Sequence, residues 1–326
     1  MNLFEKLLMP NLDWIQLEVS GLCNASCFYC PHTTYKKLWK GRNITLQEFQ
    51  RIIPYLKKVK LLYLQGWGEP FCNPEFFKFV EIAKKVKCQV GTTTNGMLLK
   101  ESHFEKIVEL KVDIVAFSLT GIKKNDILRQ GTTTVRIFEA IKMLNEIKRK
   151  KKTLSPKIHI AYMLLKSNYE EIDDIPKILN LEEIDHIQVS FLDFVPLSEL
   201  EKEVISPKNE KEFETLKNKA IEIKKIGEKL GINISFNLPH PFKRKKICSE
   251  NPLKAFFINS LGNVSPCVYT GIPSDNVTNV YFGNINKQTL FKIWYSRQYK
   301  EFRKKHPSAE PPSFCKNCPK LRVVYI

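Results

Sequence analysis

The sequence predicts an α/β fold of parallel β/α units followed by a small C-terminal α+β lobe. Short apolar runs alternate with amphipathic helical stretches from residue 14 to residue 191, the pattern of a parallel sheet with crossover helices. Capping and turn residues mark most of the changes between them. The length, 326 residues, exceeds what one core usually encloses, so a second, smaller domain is expected. The boundary falls at Pro239-His240-Pro241, giving domains 1–238 and 239–326.

The first strand is the run Trp14-Ile15-Gln16-Leu17-Glu18-Val19, which leads through Ser20 and Gly21 into a cysteine-rich loop. Thr45-Leu46-Gln47-Glu48 has capping-box spacing and opens a helix to about residue 59, which Pro54 kinks or shortens. Residues 61–65 form the second strand, and Gly66-Trp67-Gly68-Glu69-Pro70 leaves its C-terminal end. Asn73-Pro74 supplies an N-cap and a first-turn proline for a helix to about residue 87. Residues 88–94 make the third strand, closed by Asn95-Gly96; residues 102–105 cap the next helix. The fourth strand covers 112–119, and a helix over 134–150 ends in a basic run at 148–152. The fifth strand is 157–165, Asn168 opens another helix, and the sixth strand is 184–191. Residues 208–230 read as one long amphipathic helix stopped by Gly231, and a short strand at 232–236 precedes the boundary.

With 43% hydrophobic residues the chain fills a large core. No apolar run reaches the length of about 18 that a spanning helix needs, so no membrane association is expected. Residues 1–10 are too short and too charged for a signal peptide, and the chain is read as cytoplasmic. The formal charge of +18 favours an acidic partner: RNA, an acidic peptide, or an acidic electron donor such as ferredoxin or flavodoxin. Lysines are spread throughout rather than gathered in one dense tail, however, so solvated helix faces are the first explanation of the charge. Nine cysteines in a cytoplasmic chain point to metal or redox work. Seven fall into two groups; Cys72 and Cys88 read as small core residues.

The first group is Cys23-Asn24-Ala25-Ser26-Cys27-Phe28-Tyr29-Cys30, on the loop after the first strand. Cys23, Cys27, Cys30 and His32 satisfy the ligand rules of a zinc site. A disulfide set is disfavoured by the odd local count. The spacing, with an aromatic before the last cysteine, resembles the radical S-adenosylmethionine (radical SAM) enzymes. That resemblance implies a partial (β/α)6 TIM-like barrel. It also implies a four-iron four-sulfur (4Fe–4S) cluster held by Cys23, Cys27 and Cys30, with S-adenosyl-L-methionine (SAM) on the fourth iron. Reductive cleavage of SAM would then yield a 5′-deoxyadenosyl radical.

Further residues match the family at strand ends, where parallel β/α folds gather active-site groups. Gly66-Trp67-Gly68-Glu69 looks like the family's "GGE" element, with Trp67 in place of its first glycine. Gly68 would let the backbone approach the cofactor and Glu69 would accept from its ammonium group. An ordinary strand-to-helix turn is the alternative. Asn95 matches the third-strand pattern, and Ser118 the position of a ribose-binding residue, though both also suit simple turn roles. Arg129 falls where related enzymes hold a cofactor carboxylate. Tyr29 would lie beside the adenine, or else pack the loop.

The second group is Cys248, Cys267, Cys315 and Cys318. Apolar residues flank Ser260-Leu261-Gly262-Asn263, a hairpin that returns Cys267 toward Cys248. The spacing resembles the SPASM/twitch extensions of the family, and with no cysteine after Cys318 the short twitch form fits better. The resemblance implies a fully ligated second, auxiliary 4Fe–4S cluster suited to accept or relay an electron. A four-thiolate zinc site remains the alternative. His159 and Tyr162 are candidates for the substrate cavity. Residues 243–246 and 303–305 are basic runs that would dock an acidic reductase, or are merely solvated.

The expected function is a radical SAM oxidoreductase or maturase acting on a peptide, protein or small molecule. The rivals are an RNA-modifying radical SAM enzyme, suggested by the charge, and a non-enzymatic zinc-stapled scaffold.

Overall fold

The computed structural model describes residues 3–176, 183–273 and 280–326. Its strands in chain order are β1 (Leu12–Leu17), β2 (Ser26–Cys27), β3 (Val59–Leu64), β4 (Gln89–Thr94), β5 (Ile114–Leu119), β6 (Arg129–Gln130) and β7 (Lys157–Leu164). There follow β8 (His186–Phe191), β9 (Asn233–Pro239), β10 (Ala255–Ile258), β11 (Asn263–Ser265), β12 (Gly283–Asn284) and β13 (Val323–Tyr325). All six expected strands form, as β1, β3, β4, β5, β7 and β8. The fold is α/β with mostly parallel pairing.

The chain folds into two compact units. The first comprises Met1–Cys23, Tyr35–Thr92 and Lys246–Leu321. In it β10, β1, β3 and β4 are parallel neighbours, and β11 and β12 add antiparallel strands outside β10. The β10–β11 pair is the expected hairpin. The helix Leu46–Gln50 carries a complete Thr45/Glu48 capping box. A separate 3-10 turn, Ile53–Lys58, starts with Pro54 in its first turn, so the proline interrupts the helix as anticipated.

The second unit comprises Asn24–Thr34, Thr93–Lys245 and Arg322–Ile326. Here β5, β7, β8 and β9 are parallel, and β13 closes antiparallel on β9. Along β7, β8 and β9 buried residues alternate with half-buried ones, so one sheet face is covered and the other is partly open. The helices Thr134–Lys150 and Glu210–Lys229 present apolar stripes. Ile137, Ala140, Ile141, Leu144 and Ile147 recur at helical spacing and are buried, while Lys148, Arg149 and Lys150 complement the C-terminal dipole. Gly227 on the longer helix lets it approach the sheet closely, since a Cβ there would lie 2.6 Å from Ile234 Cδ1.

Some boundaries differ from expectation. The helix after β3 runs Phe76–Lys85: Asn73 Oδ1 accepts from Glu75 N as a capping oxygen does, but residues 74–75 form a turn before the helix begins, and Asn73 Nδ2 donates to the Val19 and Ile44 carbonyls. The helix expected from residue 102 starts at Glu101 with Lys100 as its N-cap; His103 Nδ1 accepts the Lys100 N–H. Asn168 lies in a 3-10 helix, Lys166–Asp173, and accepts the Leu165 N–H. Residues 177–182, where the helix it opens would continue, lie outside the described residues. The strand expected at 232–236 extends to Pro239 because β13 pairs with its end.

Candidate active site

In the second unit, β2 and β6 form a two-residue ladder that sets Cys27 opposite Arg129. Cys27 is buried and Cys30 half-buried, and the Cys30 N–H donates to the Cys27 carbonyl at 3.1 Å. The Arg129 side chain is buried beside them. Its Nη1 donates to the Tyr29 hydroxyl oxygen at 2.9 Å, and that oxygen is 2.6 Å from Thr120 Oγ1, just past β5. Arg129 Nε is buried without a hydrogen-bond partner among the described residues, leaving a donor available to a bound group. Burial works against the guanidinium's charge, but the Tyr29 oxygen and the Cys27 and Cys30 sulfurs outweigh it and hold the group above its ordinary value. Burial also pushes the Tyr29 hydroxyl up, keeping it neutral. Tyr29 and Arg129 are thus bound to each other. Asn95 Nδ2 donates to Asn24 Oδ1 at 2.9 Å, bracing the cysteine loop, while Asn95 Oδ1 accepts from Met97 N. Ser118 is half-buried on β5.

In the first unit, Glu18 follows β1 and is only 2% exposed. Its Oε1 accepts the Trp67 N–H and its Oε2 the Ser260 N–H, each at 2.9 Å. One carboxylate therefore pins both the Gly66-Trp67-Gly68-Glu69 loop and the β10–β11 hairpin. Sequence reasoning missed Glu18, although a charged residue inside an apolar strand run is a visible signal. Gly68 lies against backbone: a Cβ there would meet Ser20 O at 2.2 Å and Leu22 O at 2.6 Å. Its lack of a side chain serves this close chain contact. The Glu69 N–H donates to Leu22 O at 2.7 Å, and Glu69 Oε1 accepts from Phe71 N at 3.3 Å, capping the turn Pro70–Cys72.

Also in the first unit, Cys248, Cys267, Cys315 and Cys318 line one pocket, as the sequence anticipated. No two cysteines form a disulfide among the described residues, and no three His, Cys, Asp or Glu side chains stand as a set for a single metal ion. Burial pushes the Cys248 thiol up to about 12, against a backbone hydrogen bond at Glu250 that lowers it, and burial likewise raises Cys267. Lys320, 8% exposed, lines the same pocket and supplies positive charge. Four thiols grouped with a cation suit an anionic iron–sulfur cluster. A cavity of about 250 Å³ lies in the same unit, walled by Trp39, Trp67, Phe257 and Tyr281, with Glu18 and Ser260 among its polar groups.

Two expectations are corrected. His159 and Tyr162 fall on opposite faces of β7: Tyr162 is on the buried face, and His159 meets His186 edge to face at 4.9 Å on the half-buried one. They do not line one cavity. Arg303 is no docking cation, because its guanidinium stacks 3.9 Å over Trp294 and donates to the Trp294 carbonyl.

The chain matches the family model of the radical SAM superfamily over residues 17–179, half its length, and that of the SPASM iron-sulfur cluster-binding domain over residues 248–319. It is 26% identical over 312 residues to the "Tungsten-containing aldehyde ferredoxin oxidoreductase cofactor-modifying protein" of Pyrococcus furiosus, covering 90% of this chain and 83% of that protein. It is 26% identical over 304 residues to a "GTP 3',8-cyclase" of Clostridium botulinum, covering 86% and 88%. Among solved structures, Streptococcus suis SuiB bound to S-adenosylmethionine matches with a TM-score of 0.70 at 18% identity, covering 97% of this chain and 72% of that one. The same protein bound to the precursor peptide SuiA matches at 0.69, with 19% identity and 98% and 72% coverage. At these identities the likeness concerns the fold. The family matches imply SAM, its 4Fe–4S cluster and auxiliary iron–sulfur binding, and they set aside the zinc scaffold. The chain belongs to the radical SAM superfamily, with a SPASM iron–sulfur cluster-binding domain at residues 248–319.

Proposed function

We propose that this enzyme removes a hydrogen atom from an unreactive C–H bond of a peptide, protein or small-molecule substrate and then oxidises or cross-links it. In this reading residues 1–238 are the radical core and 239–326 the auxiliary domain. Cys23, Cys27 and Cys30 hold the first cluster, which supplies the electron that splits SAM into methionine and a 5′-deoxyadenosyl radical. The observation that carries the proposal is the buried Arg129 set opposite Cys27, with one donor satisfied by Tyr29 and Nε open.

Each residue then has a task. Arg129 orients the SAM carboxylate and offsets the charge of the cysteine sulfurs. Tyr29 and Thr120 fix that guanidinium. Glu69 accepts from the SAM ammonium group, and its Leu22 bond keeps the loop in register. Asn95 holds the cysteine loop through Asn24, and Ser118 meets the ribose. Cys248, Cys267, Cys315 and Cys318 hold an auxiliary 4Fe–4S cluster that accepts the surplus electron of oxidation.

The substrate class draws support from the relatives, one described as cofactor-modifying and one seen with a precursor peptide. The donor in this reading is an acidic protein such as ferredoxin or flavodoxin, drawn by the charge of +18. Anaerobic reconstitution with iron and sulfide, followed by dithionite and SAM, tests the proposal. Formation of 5′-deoxyadenosine and methionine is expected; intact SAM would overturn it.

A further inference from the structure

Trp67 occupies a position where the matching family element has glycine, and the proposed function gives it no task. The structure shows what it touches. Its indole Nε1–H donates to the Val268 carbonyl at 3.1 Å, which fixes the ring's orientation. The ring meets Trp39 at 6.5 Å and Tyr269 at 5.7 Å, edge to face in both cases. Trp39 and Trp67 both line the cavity of about 250 Å³. Tyr269 lines the pocket of Cys248, Cys267, Cys315 and Cys318. The three rings therefore run in unbroken contact from the cavity to the cysteine pocket. At the pocket end, Lys320 Nζ stands 5.3 Å over the Tyr269 ring.

We propose that Trp67 and Tyr269 form the path by which an electron leaves a radical in this cavity for the iron–sulfur cluster of the cysteine pocket. The proposal rests on the function given above. A substrate carbon radical with a neighbouring N–H or C–H loses one electron and that proton. The N–H or C–H bond breaks, a double bond forms at the radical carbon, and the proton passes to water. The electron would go to the oxidised 4Fe–4S cluster that Cys248, Cys267, Cys315 and Cys318 would hold, a one-electron acceptor. Trp67 and Tyr269 end as they began.

Three features favour this role over mere packing. Both rings are π systems in direct contact, so no saturated gap separates cavity from pocket. The indole N–H is bonded to the residue beside Cys267, which holds the path toward the pocket. The Lys320 ammonium stabilises the charge that arrives there, so the transfer runs toward the cysteines.

The path is tested without substrate or SAM. The full-length protein carries Cys23→Ala, Cys27→Ala and Cys30→Ala, so that the second pocket holds the sole cluster. That cluster is reduced with dithionite, excess reductant is removed, and the protein is oxidised by a flash with a ruthenium polypyridyl photo-oxidant. Transient absorption follows the aromatic radical, and electron paramagnetic resonance follows the reduced cluster. With Trp67 and Tyr269 present, the radical should decay faster when the cluster is loaded, as the cluster's reduced signal disappears. Trp67→Leu and, separately, Tyr269→Leu should abolish that cluster-dependent acceleration, while Trp67→Tyr and Tyr269→Phe retain it. Equal acceleration in both leucine variants would overturn the path. That result would leave the SAM-cleavage reading intact, because this assay involves no SAM.

Discussion

Replacing Arg129 by Met should destabilise the fold by about 1.5–3 kcal/mol, the range for a hydrogen bond to a charged group. The side chain is 8% exposed and makes its bond to Tyr29 at 2.9 Å inside one unit. Tyr29 keeps Thr120 at 2.6 Å, so the substitution strands no hydroxyl. The larger cost of orphaning a buried ion, about 3–5 kcal/mol, therefore does not apply. Met is similarly long and flexible, so little cavity is left. Arg129→Lys keeps the charge but loses the planar fork, and a smaller loss is expected. Urea unfolding of the cluster-free protein by circular dichroism reads the change as a shifted midpoint at unchanged slope. A loss under about 0.5 kcal/mol, the level of an inconsequential surface change, would refute the guanidinium as the link between Tyr29 and the Cys27 strand.

Gly68→Ala drives a Cβ to 2.2 Å from Ser20 O, against backbone that has little room to yield. A cost of about 1–3 kcal/mol is expected, read as a lowered melting temperature together with weaker SAM binding; wild-type values for both would contradict the contact. Burial, aided by His186, holds the His159 imidazole down to about 4 from its ordinary 6.5. The unfolded chain therefore binds that proton first as pH falls, so stability declines from pH 6.5 toward 4 and is fully present above that window. The ring is partly exposed, which reduces a nominal ~3 kcal/mol to about half. His159→Gln should flatten that part of the urea-midpoint profile, and an unchanged slope would count against it. Lys320→Met removes a cation from the cysteine pocket and should lower the auxiliary cluster's midpoint potential, with Lys320→Arg restoring it. A redox titration followed by electron paramagnetic resonance decides this.

Much of the fold was legible because its signals are local. The capping box at Thr45 and Glu48, the interruption at Pro54 and the stripe along Thr134–Lys150 depend on residues a turn or less apart. The Cys23, Cys27, Cys30 and the Cys315, Cys318 spacings are local in the same way, whereas the meeting of Cys248 and Cys267 with Cys315 and Cys318 in one pocket spans 70 residues and was read from resemblance. The misplaced helix starts are local: a turn at residues 74–75 intervenes between Asn73 and its helix, and His103 accepts the N–H of Lys100, which moves the next N-cap there. What spacing does not encode is contact across the chain. Glu18 joins Trp67, 49 residues away, and Ser260, 242 residues away, and no pattern around position 18 names either partner. The bond between Arg129 and Tyr29 spans 100 residues and depends on the short β2–β6 ladder. For Gly68 the motif marks the need for glycine, but not that the backbone at Ser20 and Leu22, more than 40 residues away, presses on it.

The central claim is that the cluster held by Cys23, Cys27 and Cys30 leaves one iron open to SAM. Electron paramagnetic resonance of the dithionite-reduced, fully reconstituted protein, recorded before and after SAM is added, tests this most directly. A SAM-dependent change is predicted in the wild type. In the Cys23→Ala, Cys27→Ala, Cys30→Ala protein that change should vanish while the signal of the second cluster remains. An unaltered wild-type spectrum, or a SAM-dependent change that survives loss of the three cysteines, would contradict the account.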